Sequence, residues 1–238
     1  MKILDLKDKK IAILWFWLEG KSTLKFLLQE WVKDITLFDK NPIQLSKDEK
    51  VKVVYWDEYL NNLEPYDIIL KTPGISPFQE KLLPFRKKLI SQAHIFFAHY
   101  TGKIIGITGT KWKSTLSTLT FLLLQEAWYR VKLVGNIGKP VLDEIDISQW
   151  EGYDYVVYEL SSYMLQDFSP KLDFWVLNNV YPCHLDWHYN SFSLYKEAKM
   201  NVLRNANIKI VNAELSMDTY LWEIPWKKEY FSTKWDFQ

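Results

Sequence analysis

The chain has 238 residues, enough for one large or two modest domains, each with its own hydrophobic core. Lys and Arg total 30 against 29 Asp and Glu, and this net charge of +1 excludes the strongly basic surface that nucleic acids and anionic membranes attract. The single cysteine, Cys183, excludes an internal disulfide, and no apolar run reaches the ~20 residues of a membrane span. Because the amino terminus also lacks a signal-peptide pattern, we expect a cytoplasmic protein that neither inserts into membranes nor binds nucleic acid.

The first hundred residues alternate between short apolar runs and a helical repeat. Leu24, Leu27 and Leu28 recur at the spacing of one helix face. Apolar runs rich in β-branched residues predict buried strands at 9–16, 35–39, 51–56 and 66–74. A helix between two such strands is a βαβ unit, so we expect a Rossmann-like domain over residues 1–100.

A second series of strands and helices begins at residue 101, although no Pro/Gly-rich linker marks the boundary. Leu116, Leu119 and Leu123 share one side of the first helix in this series. Strands are predicted at 103–109, 129–135, 154–160, 174–180 and 208–214. The alternation implies parallel sheets covered on both faces, and therefore an α/β protein throughout. The pattern stops without a closing helix, so we expect residues 101–238 to form an incomplete second domain.

Two turns have the layout of phosphate-binding loops, with tryptophan where glycine is expected. Trp15, Trp17 and Gly20 have the G-x-G-x-x-G spacing between a strand and a helix, and Asp39 ends the next strand. In dinucleotide-type folds, glycines there allow a tight turn and close backbone approach to a diphosphate, while the distal acid reaches a ribose or base. The stretch "TGTKWKST" at 108–115 repeats the layout, with Trp112 directly before the lysine.

Two more tryptophans stand where helices are predicted to end. Trp31 and Trp128 each follow a helical run and precede a strand, where glycine usually supplies the left-handed C′ residue. Glycine is only 8 of 238 residues, about half of the usual ~7%, whereas tryptophan reaches 12. The simple interpretation is that these are ordinary core tryptophans.

Our hypothesis is that a codon meaning glycine in the source organism has been read as tryptophan at these five positions. If nine of the 12 tryptophans were glycine, the chain would have 17 glycines in 238 residues, close to the ordinary ~7%. Ordinary Trp codons in the gene at Trp15, Trp17, Trp31, Trp112 and Trp128 would refute the hypothesis.

With glycine at those positions, four stretches of the chain resemble the Mur ligases of peptidoglycan synthesis. They are "KIIGITGTKWKST", "LVGNIGKP", "YVVYELSSYML" and "NNVYPCHLDWHYNSFSLYKEAKMNVL", in the order of the family. The resemblance implies a P-loop-type ATPase domain at 101–238 that uses ATP and Mg²⁺. The E-L-S-S and G-N-I-G forms favour the branch that adds D-glutamate to UDP-N-acetylmuramoyl-L-alanine. In that reaction the substrate carboxylate takes the γ-phosphate of ATP, and D-glutamate then displaces phosphate from the acyl phosphate.

The resemblance also implies roles for individual residues around the second loop. Lys113, His184 and Lys199 would be catalytic, Lys199 being the lysine that is carbamylated in relatives. Cys183 stands where the family usually has Asp, which removes a carboxylate from the second metal site. Metal ligands are implied at Ser114, Glu159, His184 and Lys199. ATP contacts are implied at Gly109, Thr110, Lys111, Trp112, Lys113, Ser114 and Thr115.

Substrate contacts are implied mainly in the first domain, which would bind the UDP part. They fall at Leu18, Glu19, Asp39, Lys40, Thr72, Pro73, Gly74, Asn136 and Ser161. We expect a monomer that lacks the part binding D-glutamate in relatives, and therefore a chain that does not complete the reaction alone. The alternatives are a non-catalytic UDP-sugar-binding module, or a sibling enzyme such as the L-alanine-adding ligase or a folate polyglutamate synthetase.

Overall fold

The computed structural model describes residues 6–45, 51–55, 59–137, 139–144, 152–201, 205–215 and 228–231. The chain divides into two compact units, and the second begins at Thr101. The first unit contains the residues up to Tyr100 and also a short helix that comes later in the chain, α4 (Val141–Glu144). The predicted boundary between residues 100 and 101 coincides with the start of the second unit, but the sequence did not predict that α4 belongs to the first unit.

The first unit is a five-stranded parallel sheet in the order β3-β2-β1-β4-β5. Helix α1 (Leu18–Gln29) joins the first two strands, and α2 (Gln92–His99) follows the fifth. A 3₁₀ helix spans Glu80–Lys88. The strands are β1 (Lys10–Leu14), β2 (Asp34–Asp39), β3 (Lys52–Tyr55), β4 (Ile68–Lys71) and β5 (Leu89–Ile90). Strand order reverses beside β1, so the loops after β1 and β4 border the crevice where open α/β sheets bind ligands.

The second unit is a six-stranded parallel sheet in the order β11-β10-β9-β6-β8-β7. Its strands are β6 (Lys103–Thr108), β7 (Val131–Gly135), β8 (Tyr155–Glu159), β9 (Leu172–Leu177), β10 (Ala206–Asn212) and β11 (Lys228–Phe231). Its helices are α3 (Lys113–Glu126), α5 (Ser162–Leu165) and α6 (Phe192–Met200), with a 3₁₀ turn at Ala213–Leu215. Here strand order reverses between β6 and β9, which places the loop after β6 beside the end of β9.

The prediction of an α/β protein with parallel sheets is confirmed. Two strands were not predicted from the sequence. β5 has only two residues, too few to show a periodicity, and β11 (KEYF) has no β-branched residue. Within the described residues, no helix combines the length and apolarity that crossing a membrane requires.

Helices α1 and α3 end in the same way, with a left-handed tryptophan. Trp31 has φ 62° and Trp128 has φ 64°. The N–H of Trp31 donates to Leu28 O at 3.1 Å, and that of Val32 donates to Leu27 O at 3.0 Å. These bonds form a Schellman motif, whose C′ residue is most often glycine because a Cβ crowds the left-handed conformation.

The end of α3 repeats this hydrogen-bond pattern. Trp128 donates from its backbone to Gln125 O at 2.9 Å, and Tyr129 donates to Leu124 O at 3.1 Å. Trp31 and Trp128 are 76% and 94% exposed, so neither ring contributes to a core. The interpretation of these two residues as core tryptophans is therefore wrong.

Candidate active site

The loop between β6 and α3 is held by two asparagines that follow β9. Asn178 Nδ2 donates to Lys111 O at 3.3 Å, and Asn179 makes three side-chain hydrogen bonds to the loop. Asn179 Oδ1 accepts the backbone N–H groups of Thr110 at 3.0 Å and Lys111 at 2.8 Å. Its Nδ2 donates to Lys111 O at 3.1 Å. Both the oxygen and the nitrogen of the Asn179 side-chain amide therefore hold the loop in place. Asn179 was not among the residues predicted from the sequence. It lies at the carboxyl ends of the parallel strands, as Glu159 does, and Glu159 was predicted for that reason.

The second anchor of the loop is the hydroxyl of Thr110. Its Oγ1 accepts the backbone N–H of Tyr181 at 2.9 Å and lies 2.9 Å from the hydroxyl of Tyr195, on α6. Burial raises the pKa of Tyr195 to about 12, so this phenol stays protonated at neutral pH. Tyr195 was not predicted as a site residue, and its position on α6 is visible only in three dimensions.

Trp112 occupies the last position before the helix that follows the loop. Its φ of 65° and ψ of 10° are left-handed, and its side chain is 71% exposed. Ser114 and Thr115 are exposed in the first turn of α3, and Lys113 Nζ donates to Thr110 O at 3.2 Å. A phosphate loop needs its backbone N–H groups open toward the ligand. Here an indole lies at the mouth of that loop.

A cavity of about 480 Å³ opens beside the loop. Its lining includes Trp112 and two polar residues from the ends of neighbouring strands, Asn179 and Glu214. Lys111, Thr115 and Tyr181 also line it. The cavity therefore lies next to the positions at which ATP contacts are expected, and the indole of Trp112 takes part of its wall.

Glu159 ends β8 as a completely buried carboxylate. Its Oε1 accepts from Asn136 Nδ2 at 3.0 Å, and its backbone carbonyl oxygen accepts the N–H of Asn136 at 3.0 Å. Its Oε2 is buried, and no group in the described residues donates a hydrogen bond to it. A buried carboxylate oxygen without a donor is costly unless a cation or ligand satisfies it.

Lys199 is buried under the same loop. Its Nζ donates to Gly109 O at 2.8 Å and lies over the Tyr195 ring, 4.8 Å from the ring centroid. Burial, followed by the charge of Lys113, lowers the pKa of Lys199 to about 7, although Cys183 and Glu159 act in the opposite direction. Near neutral pH a large fraction of this amine is therefore uncharged and nucleophilic.

The remaining predicted residues of the second unit lie around these groups. His184 is exposed, has φ 52°, and stands beside Tyr163 with ring centroids 5.3 Å apart. Ser161 caps α5, its Oγ accepting the Met164 N–H at 3.3 Å. Cys183 is a free, half-buried thiol. The structure thus groups Lys199 with the loop and Asn136 with Glu159, whereas His184 packs beside Tyr163.

A second histidine, which was not predicted from the sequence, packs against Tyr163 and Tyr195. His188 is fully buried, and its Nε2 is 3.2 Å from Ser162 Oγ. Burial, with the charge of Lys199 next, lowers the pKa of His188 to about 4, so the imidazole is neutral at physiological pH.

In the first unit, Asp39 holds the loop that follows β1. Its Oδ2 accepts the N–H of Phe16 at 2.7 Å and its Oδ1 accepts the N–H of Asn41 at 2.8 Å. Asp39 is buried, and one of its oxygens holds the predicted diphosphate turn while the other holds the chain that follows β2. The neighbouring Lys40 is exposed.

Trp15 closes the same turn in a left-handed conformation. Its φ is 67°, and its ring lies against Gly74, where a Cβ would stand 1.7 Å from the ring atom Cζ3. Gly20 also needs to be glycine, because a Cβ there would lie 2.5 Å from Trp15 O. Trp17 differs, since its φ of −98° is open to any residue.

The other predicted UDP contacts surround this turn. Leu18 is exposed, Pro73 is half-buried, and the buried Thr72 Oγ1 has no hydrogen-bond partner among the described residues. The backbone carbonyl of Glu19 accepts from Gln92 Nε2 at 2.9 Å, which ties α1 to α2. Burial raises the pKa of the Glu19 carboxyl to about 7, although the charge of Lys71 opposes the shift.

The side chains of the second unit do not form a complete site for a divalent metal ion, and a bound nucleotide would have to supply the remaining ligands. In the part of the chain that the structure describes, no three His, Cys, Asp or Glu side chains form a metal-binding group. The unsatisfied Glu159 Oε2 is nevertheless an oxygen of the kind that Mg²⁺ selects, and Mg²⁺ commonly takes one or two protein oxygens plus phosphate and water. The donors present therefore fit a nucleotide-bound Mg²⁺ ion.

Comparisons with known proteins agree with this architecture. A family model described as the Mur ligase middle domain matches residues 107–232. The UDP-N-acetylmuramoylalanine–D-glutamate ligase of Clostridium beijerinckii is 33% identical over 219 residues, which cover 87% of this chain and 47% of that protein. The ligase of the same name from Francisella tularensis is 34% identical over 212 residues, covering 85% of this chain and 46% of that protein.

A solved structure shows the same fold. The UDP-N-acetylmuramate-alanine ligase of Thermotoga maritima has a TM-score of 0.50 and 18% identity, covering 95% of this chain and 53% of that one. The class defined by fold and loop is a two-unit α/β protein whose second unit has the P-loop-type ATPase fold. The chain belongs to the Mur ligase family. It spans about half the length of the curated relatives it matches.

Proposed function

We propose that this chain carries the UDP-substrate domain and the first part of the ATPase domain of an ATP-dependent ligase. The ligase joins D-glutamate to UDP-N-acetylmuramoyl-L-alanine in peptidoglycan synthesis, in the cytoplasm. The observation that supports this best is that Lys199 and Lys113 both hydrogen-bond the carbonyl oxygens of one phosphate-type loop, while Glu159 lies within electrostatic reach of Lys199. The identity to D-glutamate ligases supports the choice of amino acid.

The chemistry needs positive charge around a transferring phosphoryl group, because charge develops on its oxygens. Lys113 would contact the β- and γ-phosphates, with the N–H groups at the start of α3 and the Thr115 hydroxyl beside it. Ser114 and Glu159 would hold Mg²⁺, which neutralises phosphate charge when it is bound. Asn136 orients Glu159 at one oxygen and leaves the other available. His184 and Ser161 are proposed contacts near the metal and the acceptor carboxylate.

Trp112 and Trp15 obstruct this function as they stand. We propose that glycine occupies positions 15, 31, 112 and 128 in the protein made by its own cell. All four have φ between 62° and 67°, and all four side chains are exposed. Position 17 belongs to the same proposal through its motif spacing, not through its backbone angle. Mass spectrometry of the native protein tests the proposal, and tryptophan-containing peptides at all five sites would refute it.

Lys199 is proposed to be carbamylated, which would turn a buried amine into a carboxylate. Only the neutral amine attacks CO₂, and a pKa of about 7 leaves that form abundant at pH 8. We expect a carbamate signal in ¹³C NMR with labelled bicarbonate at pH 8, weakening as pH falls through 7. Lys199→Arg should abolish the signal, whereas Lys171→Arg, an exposed site, should keep it. A spectrum unchanged by Lys199→Arg would contradict the assignment.

Binding of the two nucleotides tests the proposed function. In the protein with glycine at the five tryptophan positions, titration calorimetry should detect binding of UDP-N-acetylmuramoyl-L-alanine and of a non-hydrolysable ATP analogue. We expect a dissociation constant of roughly 1 µM to 1 mM for each ligand, the range of typical enzyme KM values. Because the indole of Trp112 lines the loop cavity, a non-catalytic UDP-sugar module is the second candidate. UDP-substrate binding without ATP binding by the tryptophan-containing chain, with Trp codons confirmed in its gene, would favour that module. Binding of neither nucleotide by the glycine-containing protein would overturn the proposal.

A further inference from the structure

The hydroxyl of Thr110 joins three segments of the second unit. Its Oγ1 accepts the backbone N–H of Tyr181 at 2.9 Å and lies 2.9 Å from the Tyr195 hydroxyl. It also donates to Tyr181 O at 3.2 Å. A phenol is protonated at neutral pH, so the consistent assignment has Tyr195 donating to Thr110. A hydroxyl can donate one hydrogen bond and accept two, and these three contacts use that capacity completely.

The backbone groups of Thr110 are also bonded within the protein. Its N–H is shared between Asn179 O at 2.9 Å and Asn179 Oδ1 at 3.0 Å. Its carbonyl oxygen accepts from Lys113 Nζ at 3.2 Å. The N–H and the hydroxyl of Thr110 are therefore already engaged by protein groups. This favours a role in holding the loop over the direct ATP contact that the family resemblance implies for Thr110.

The segments that Thr110 joins carry two of the candidate site residues. Tyr181 lies three residues before His184, in the segment that follows β9. Tyr195 lies one helical turn before Lys199 on α6, and Lys199 Nζ stands over its ring, 4.8 Å from the centroid. Tyr195 is only 1% exposed, so its hydroxyl has little freedom to take another position. A change at Thr110 would therefore reach both segments.

We propose that Thr110 is a positioning residue that couples the nucleotide loop to the segment at 179–184 and to α6. This inference rests on the proposed function, since it requires a nucleotide at the loop. A phosphate at the start of α3 would restrain the loop, and the Thr110 hydroxyl would pass that restraint to the elements that carry His184 and Lys199. Ligands that order a shared element bind cooperatively, because the first one bound bears the entropic cost for both.

Hydrogen exchange of single backbone amides, followed by ¹⁵N NMR in the chain with Trp112→Gly, tests this coupling. A saturating non-hydrolysable MgATP analogue should slow exchange of the Lys199 amide in α6 at least ~10-fold, because exchange requires local opening of the helix. Thr110→Ser keeps the hydroxyl and should keep the slowing. Thr110→Val has nearly the same shape without the hydroxyl and should remove it. Thr101→Val, at an exposed threonine, is the matched control and should behave like the parent chain.

A double-mutant cycle tests the hydrogen bond itself without any nucleotide. Thr110→Val and Tyr195→Phe remove the same bond, so their losses of stability in urea should be less than additive when they are combined. Additive losses would overturn the proposed role, and so would Thr110→Ser and Thr110→Val chains with the same exchange behaviour. Failure of the Trp112→Gly chain to bind the analogue would overturn the proposed function and the coupling to nucleotide with it. The cycle would then show separately whether Thr110 holds α6.

Discussion

Trp112→Gly should bind MgATP at least ~100-fold more tightly than the tryptophan-containing chain. Glycine adopts φ near 65° without a Cβ clash, and it opens the backbone N–H groups at the start of α3 to a phosphate. The indole now lines the cavity beside that loop, where we expect it to hinder entry of the ligand. Titration calorimetry with a non-hydrolysable analogue measures the change. Equal affinities of the two proteins would contradict our description of the loop.

Lys113 supplies the second half of this experiment. In the Trp112→Gly background, Lys113→Ala should weaken binding by ~10–100-fold, the range for losing a hydrogen bond from a charged group of about 1.5–3 kcal/mol. Lys171→Ala is the matched control. Lys171 is an exposed lysine just before β9, so it lies at the amino-terminal ends of the parallel strands, whereas the loop lies at their carboxyl ends. If both alanine variants weaken binding equally, general charge and not the loop governs affinity.

Replacing Trp15, Trp31, Trp112 and Trp128 together with glycine should raise the melting temperature by roughly 5–15 °C. A left-handed residue with a Cβ costs about 1–2 kcal/mol, whereas glycine costs about 0.5–1 kcal/mol in chain entropy. The net gain of about 2–4 kcal/mol over four sites corresponds to such a shift in a chain of this size. Trp31, Trp112 and Trp128 are 71–94% exposed, so their replacement loses little burial, whereas Trp15 is 39% exposed and its ring packs against Gly74, which places the expected gain at the lower end for that site. Differential scanning calorimetry measures the result.

Two other tryptophans in the same chain are controls for that measurement. Trp17→Gly should give no gain, because Trp17 has φ −98° and is under no left-handed strain. Trp175→Gly should destabilise the protein by ~3–5 kcal/mol, because Trp175 is completely buried in β9. If Trp17→Gly stabilises as much as Trp31→Gly, backbone strain is not the cause.

The sequence predicted what depends on local pattern. The apolar runs gave most strands to within two or three residues, and the helix stops predicted left-handed residues at Trp31 and Trp128. These features follow from side-chain periodicity and from the geometry of a single turn. The left-handed angle at Trp112 was predictable for the same reason, because a strand, a loop and a helix follow each other there.

The rest depended on contacts between distant segments. Asn179 and Tyr195 anchor the loop from positions 68–69 and 85 residues away, which no local pattern reveals. The ligand contact predicted for Asp39 stays a prediction, and the structure adds that its two oxygens accept the backbone N–H groups of Phe16 and Asn41, the first of them 23 residues away. The pKa of Lys199 likewise depends on burial by several elements, and spacing alone cannot supply it.

The four left-handed tryptophans have a meaning beyond this fold. Backbone torsion is set by hydrogen bonds and packing around a position, and therefore by what the rest of the protein requires there. At Trp31, Trp112 and Trp128 a ring that is 71–94% exposed stands at φ of 62–65°, which is the conformation that glycine adopts without strain. Surveying the torsion angles of other proteins from the same genome would show how its ribosomes read one codon.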